Sequence, residues 1–177
     1  MNPREYKKRD YEKTFKGTCL RIAHYIGEDK QRFDKLMCLF LNDKYRVCKR
    51  AAWIVSIIAK KYPELIQPHI MPMLENLKNN NHASVTQNTV RVLRYMEKIP
   101  ESSIGLTASI CFKYLSTPSV PIAIRVFSMH ILYKICLVEP DLKDELKMSI
   151  EDGMQHGSPE YKSAGRTILQ KLLKLKQ

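Results

Sequence analysis

Residues 46–66 read RVCKRAAWIVSIIAKKYPELI, and this stretch decides the fold class. Its apolar run, residues 51–59, lies between two pairs of basic residues and is soon followed by Pro63-Glu64. Proline ends a helix because it lacks a backbone N–H, and an acid after it suits the positive N-terminus of the next helix. Glycine is scarce, 6 of 177 residues, which also favours helices. We therefore predict a helix that stops before Pro63 and is followed by another.

The same stop recurs along the chain at a nearly constant spacing. Pro100-Glu101 and Pro140-Asp141 repeat the proline–acid pair, and Gly27-Glu28 falls in the same phase. These marks lie 36 to 40 residues apart, a period typical of helical repeat arrays. Each interval reads as two helices with 3.6-residue periodicity, separated by a polar break. The sequence therefore predicts an all-α chain of about nine helices in antiparallel pairs, each burying its apolar face against the next pair.

This alternation resembles the HEAT and armadillo-like repeat families. The closest local match is RVCKRAAW, residues 46–53, which runs into Tyr62–Ile66. Small side chains at Ala51 and Ala52 allow neighbouring helices to approach closely. Other repeats depart from this pattern, since Phe127-Ser128 stands near where the two alanines would lie.

The resemblance covers most of the chain, from about residue 11 onward. It implies a right-handed α–α superhelix, which is a HEAT-like repeat solenoid. We predict a single repeat domain of residues 11–177, preceded by a basic N-terminal arm of residues 1–10.

The net charge of +12 is unevenly divided between the two helices of each predicted pair. We call the first helix of a pair A and the second B. The predicted A helices carry a net charge of −2 and the B helices +14, so positive charge is segregated on one layer. In solenoids that resemble this chain, the B helices line the concave face, where partners commonly bind. We therefore predict a basic concave surface that binds an acidic macromolecule, either a protein or a nucleic acid.

Basic residues on the B helices recur every three or four positions, and Trp53 falls within the first such stripe. A groove of this kind can follow a phosphate backbone, with Trp53 stacking on a base or on an arginine. The predicted partner-binding residues are Arg46, Lys49, Arg50, Trp53, Arg91, Arg94, Lys98, Arg125, Lys162 and Arg166.

A structural interpretation of the same residues stays open. A Lys/Arg stripe is often only the solvated face of a helix. Helices of the families that this chain resembles also use an arginine here for pairing within the chain. Trp53 shares its side of the helix with Ile57, which suits a packing role.

The sequence offers no motif for catalysis, for a cofactor or for a metal ion. It contains no Gly-rich phosphate loop, HExxH, GxSxG or paired-cysteine motif, and its five histidines are scattered. The five cysteines are widely spaced in apolar stretches, which indicates reduced, buried thiols rather than disulfides. The longest apolar run is too short to span a bilayer, and the N-terminus has no signal-peptide core. We expect a cytoplasmic protein without cofactor, metal or membrane partner.

The leading hypothesis is a non-catalytic scaffold that presents a basic concave surface to a protein or another acidic macromolecule. A non-specific nucleic-acid binding protein is the first alternative. The second is an alkyl-base DNA glycosylase, because some of these enzymes are HEAT-like solenoids with a basic concave face. Such relatives place an aspartate near the lesion, whereas the predicted B helices contain only two acids, Glu97 and Glu160.

Overall fold

The computed structural model describes residues 3–42, 44–79 and 83–175, and every regular element within them is helical. The predicted all-α fold is therefore confirmed. Contacts divide the chain into two compact units, Met1–His69 and Ile70–Gln177. None of the helices within the described ranges combines the length and the apolar character that crossing a membrane requires.

The first unit is built around one central helix. Its three α-helices are α1 (Pro3–Ile26), α2 (Lys30–Asn42) and α3 (Tyr45–Lys61). Helix α3 packs against both α1 and α2 and buries Ala51 and Ala52, as expected for a close helix contact. Helix α2 contributes the large apolar side chains Phe33, Met37 and Phe40 to the core.

Helix α1 begins well before the position that the sequence indicated. It includes residues 3–10, which were assigned to a basic arm, while residues 1 and 2 lie outside the described ranges. The division into an arm and a single domain of residues 11–177 stays a prediction.

The junction of α1 and α2 confirms the stop at Gly27-Glu28. Gly27 has a φ of 52°, a left-handed conformation that glycine adopts without strain, and its N–H donates to the Ala23 carbonyl at 2.9 Å. The Asp29 carboxylate then accepts a hydrogen bond from the Arg32 backbone N–H at 3.0 Å and caps the start of α2.

The second unit is a two-layer stack. Helix α7 packs between α5 and α9 in one layer and also contacts α6 and α8, which pack together in the other. Short connections join the two layers, so each A helix is followed by its B partner, as predicted. The helices are α4 (Ile70–Asn79), α5 (Ala83–Tyr95), α6 (Ile104–Ser116), α7 (Ile122–Cys136), α8 (Lys143–Gln155) and α9 (Pro159–Leu173).

The three proline–acid pairs lie between helices, which confirms them as helix stops, but an α-helix does not follow at once. Each pair instead begins a short 3-10 turn: two pairs lie within the turns Pro63–Leu65 and Pro140–Leu142, and Pro100 directly precedes the turn Glu101–Ser103. The largest difference is at α4, which was expected from residue 64 and begins at Ile70. Pro68 explains the delay, because it lacks an N–H and disfavours a helical conformation in the residue before it.

A tyrosine packed against glycines holds α8 and α9 together. The Tyr161 side chain is fully buried and lies against Gly153 and Gly157, where an added Cβ would overlap its ring. At Gly165, an added Cβ would approach the Met154 Sδ to 2.8 Å, which is closer than van der Waals contact. These three glycines are therefore required for the close approach of the two helices.

We predict that Gly153→Ala lowers the free energy of unfolding by about 1–2 kcal/mol, because the new methyl group displaces the rigid Tyr161 ring and this outweighs the gain in helix propensity. Gly105→Ala is the matched control, since an added Cβ there meets nothing within 4 Å, and it should leave the stability unchanged or raise it. Urea unfolding followed by circular dichroism measures both. Equal stability of the two variants would contradict this account of the α8–α9 contact.

Candidate partner-binding surface

Helices α5, α7 and α9 bring four cations together around one histidine. Arg91 and Arg94 belong to α5, His130 and Lys134 to α7, and Lys171 to α9. We call Arg91, Arg94, His130, Lys134 and Lys171 the cationic cluster. None of its four cations has a carboxylate oxygen within 4.0 Å among the described residues. The cluster is therefore a centre of positive charge that the described chain does not neutralise.

Aromatic rings of α7 hold the cations in place. The guanidinium carbons of Arg91 and Arg94 lie 5.9 and 4.9 Å from the centroid of the Phe127 ring. On the other side of α7, the Lys171 ammonium lies 5.4 Å from the centroid of Tyr133. Cation–π contacts of this kind are worth about 0.5–1 kcal/mol at exposed sites and restrict the long side chains. The cluster is thus partly ordered before any partner arrives.

His130 is half-buried at the centre of the cluster. Burial, together with the charges of Arg94, Lys171 and Lys134, lowers the pKa of its imidazole from 6.5 to about 4. The ring is therefore neutral at physiological pH and offers one N–H donor and one acceptor nitrogen.

Lys134 joins α7 to the end of α5. Its ammonium donates hydrogen bonds to the carbonyl oxygens of Arg94 and Met96, where α5 ends. The last carbonyls of a helix have no partner within it, so this lysine supplies a cap from a different helix. Burial and the charge of Arg94 lower the pKa of Lys134.

Arg125 makes its contacts within the chain. Its Nη2 donates to the Leu115 carbonyl at 3.1 Å, near the end of α6, and its guanidinium carbon lies 4.4 Å from the centroid of the buried Tyr161 ring. These contacts agree with the structural interpretation of the stripe, in which an arginine pairs within the chain. A direct role of Arg125 in binding a partner stays a prediction.

The predicted residues of α3 lie in the first unit. Arg46, Lys49 and Arg50 are exposed, while Trp53 is half-buried with its ring centroid 5.7 Å from that of Phe15 in α1. This contact supports packing as one role of Trp53. Stacking of Trp53 on a base stays a prediction, because the contact with Phe15 does not test it.

The remaining predicted residues lie in the second unit, outside the cationic cluster. Lys98 is exposed in the connection after α5, Arg166 is exposed on α9, and Lys162 is half-buried on the same helix. Lys171, rather than either of these α9 residues, contacts a ring of α7 and influences His130.

Three members of the cluster were missed by the sequence analysis: His130, Lys134 and Lys171. A signal for Lys134 was present, since a lysine within the apolar segment Ile131–Cys136 must find polar partners. No such signal marked Lys171. An exposed lysine is ordinary on an amphipathic helix, so the sequence does not show that it contacts a ring of α7.

The cysteines and metal-binding residue types form no reactive centre in the described part of the chain. All five cysteines are free and four are buried, but Cys38 is exposed, so the prediction of burial was wrong there. Burial raises the pKa of Cys111 to about 12 and that of Cys136 to about 11, which keeps both thiols protonated at neutral pH. Across residues 3–42, 44–79 and 83–175, no three His, Cys, Asp or Glu side chains form a group that could hold a metal ion.

Comparison with known proteins gives one finding. A family model described as a HEAT repeat domain matches residues 7–172. No curated protein and no solved structure matches the chain. The match agrees with the repeat period and with the paired helices of both units.

We predict that His130 makes stability depend on pH between about 6.5 and about 4. The unfolded chain binds a proton in this window and the folded chain does not, so the free energy of unfolding falls as the pH is lowered through it. Below about pH 4 His130 is protonated in both states, so the stability lost through this residue no longer changes with pH. Urea unfolding at several pH values should show a shallower fall for His130→Gln. An NMR titration that gave His130 an ordinary pKa would contradict this arrangement. The same titration should show a higher His130 pKa in Lys171→Met, because one of the charges that lower it is removed.

We predict that Lys134→Met destabilises the fold by about 1–3 kcal/mol, because the carbonyls of Arg94 and Met96 lose their donor while the apolar stem is conserved. Lys147→Met on the exposed face of α8 is the control and should change stability by less than about 0.5 kcal/mol. Thermal or urea unfolding of both variants provides the measurement. A variant at position 134 as stable as the control would show that the cap contributes nothing.

Proposed function

Because the chain belongs to the HEAT repeat domain family, we propose that it is a non-catalytic interaction scaffold whose cationic cluster binds an acidic segment of a partner protein. HEAT repeats commonly serve as protein-interaction scaffolds, since stacked helix pairs present an extended surface. The α3 residues Arg46, Lys49 and Arg50 belong to the same proposal as a further basic surface on the first unit.

One observation carries the proposal: the four cations of the cluster have no carboxylate partner among the described residues. Like charges held together raise the electrostatic energy of the free protein. Carboxylates of a partner would relieve this repulsion, and burial of the surrounding surface would strengthen each new contact. Repulsion among the four cations of the free protein therefore favours binding of an acidic segment.

The ring contacts of the arginines make them suited to carboxylates. The guanidinium carbons of both arginines lie over the Phe127 ring, and the N–H donors lie on the guanidinium edges, where Nη1 of Arg91 also donates to Asn88 Oδ1 at 3.2 Å. An arginine edge can form two parallel hydrogen bonds with one carboxylate, which adds geometric specificity to charge attraction. Because the rings already restrict both side chains, less conformational entropy is lost on binding.

The chain offers little support for the glycosylase alternative. Glu97 is exposed in the connection after α5, and Glu160 is exposed in the first turn of α9. A hydrogen bond with the Ser158 side chain lowers the pKa of Glu160, which suits a carboxylate at a helix start. An assay for release of alkylated bases from DNA tests this alternative, and the proposal expects no base release.

Cytoplasmic location is part of the proposal and can be tested by fractionation of the native cells.

We predict that a fluorescein-labelled peptide of eight glutamates interrupted by two leucines binds the protein, and that Arg91→Glu with Arg94→Glu weakens binding at least about tenfold. The control is Lys35→Glu with Lys147→Glu, which changes the net charge equally at two exposed A-helix positions. Fluorescence anisotropy across a salt series gives the dissociation constants, and circular dichroism checks that each variant is folded.

Single- and double-stranded DNA and RNA form the second arm of that experiment. Tight nucleic-acid binding that falls steeply with salt, without peptide binding, would replace the proposal with the nucleic-acid alternative. Equal losses in the cluster and control variants would show that overall charge, and not the cluster, attracts the peptide. No binding of either probe at low salt would overturn the proposal.

A further inference from the structure

A second concave site lies in the unit Ile70–Gln177, where turns connect its A helices to its B helices. The cleft has a volume of about 460 Å³ and is formed by the ends of α4 and α6 and the beginnings of α5 and α7. Pockets that bury most of a bound ligand commonly have volumes of about 300–1,000 Å³. On α5 the cleft residue Thr86 precedes Arg91 by five positions, and on α7 Ile124 precedes His130 by six, so about 7–9 Å of helix separates the cleft from the cationic cluster.

The floor of the cleft is apolar and carries a few hydroxyl groups. Ile110, Val120 and Pro121 supply accessible aliphatic surface, while Leu77 and Ile124 line the cleft but are themselves buried. The hydroxyls belong to Thr86, Tyr114 and Ser119, and burial raises the pKa of Tyr114 to about 12, so the phenol stays protonated. Aliphatic surface beside hydroxyls suits an apolar side chain that is attached to a polar backbone.

The rim of the cleft is positive. Lys78 and Lys113 are exposed in the last turns of α4 and α6, and no acid lines the cleft. The positive charge of the rim comes from these two lysines, because helix ends of both polarities meet at the cleft and their macrodipoles oppose one another.

We propose that this cleft binds a short peptide segment in which an aliphatic side chain is followed by an acidic one. The aliphatic group packs on Ile110, Val120 and Pro121, and the carboxylate binds to Lys78 and Lys113. The hydroxyls of Tyr114 and Ser119 serve the peptide backbone, a role that a fatty acid would leave unused. The site is separate from the cationic cluster and does not depend on the function proposed for it.

The test uses the full chain, labelled with ¹⁵N, and NMR titration with acetyl-Leu-Glu-Leu-amide. Acetyl-Leu-Gln-Leu-amide removes the charge with little change in shape, and octanoate supplies an aliphatic anion without a peptide backbone. We expect the glutamate peptide to shift amide signals around the cleft, with clearly weaker effects from the other two probes.

Two variants test the cleft in different ways. Lys78→Gln with Lys113→Gln should raise the dissociation constant of the glutamate peptide about tenfold, because charge-assisted contacts are lost. Lys35→Gln with Lys147→Gln makes the same change in net charge elsewhere and should leave it unaltered. Ser119→Trp places a large ring at the exposed rim and should block the peptide without altering any charge.

Several outcomes would overturn the proposal: equal binding of the glutamine peptide, preference for octanoate, equal losses in the lysine pair and its control, or no shifts at the cleft. Arg91→Glu with Arg94→Glu separates the two sites, since it should leave peptide binding in the cleft intact. Loss of cleft binding in that variant would place the peptide at the cationic cluster instead.

Discussion

Helix α7 can bury its apolar surface only by packing against four other helices, and the second unit depends on this constraint. With α5 and α9 beside it and α6 and α8 in the other layer, it has little room for polar side chains. Several of its polar groups have partners within the chain, although the buried Nε of Arg125 has no hydrogen-bond partner among the described residues. Arg125 bonds to a carbonyl at the end of α6, Lys134 to carbonyls at the end of α5, and the Ser128 hydroxyl to the Ile124 carbonyl.

The same constraint explains why positive charge gathers on one side of the stack. A cation beside a crowded helix layer can direct its charged end outward while its stem packs on apolar atoms. Phe127 and Tyr133 provide that apolar support for Arg94 and Lys171. No described acid pairs with Arg94 or Lys171, so their charges are not neutralised within the described part of the chain.

Sequence reasoning identified the helices better than it identified their neighbours. Pro63, Pro100 and Pro140 determine where helices stop through local backbone chemistry, and such effects can be read without a structure. Pro68 acts in the same way and was overlooked, which placed the start of α4 too early. Periodicity shows which residues share a helix face, but not which ring or carbonyl of another helix they meet. For that reason the carbonyl that Arg125 bonds to, and the partners of Lys134 and Lys171, could not be foreseen.

The bonds from Lys134 to the end of α5 also bear on how the repeats open. In a repeat array, stability is approximately a sum of terms for each repeat and for each contact between neighbours. Lys134 caps the helix of the preceding repeat, so it stabilises the contact between two neighbouring repeats rather than either repeat by itself. Fraying of the last turn of α5 must therefore break a contact with α7, which couples the two repeats. In amide hydrogen exchange, the end of α5 should then open together with α7 as one cooperative segment rather than as a loose helix terminus.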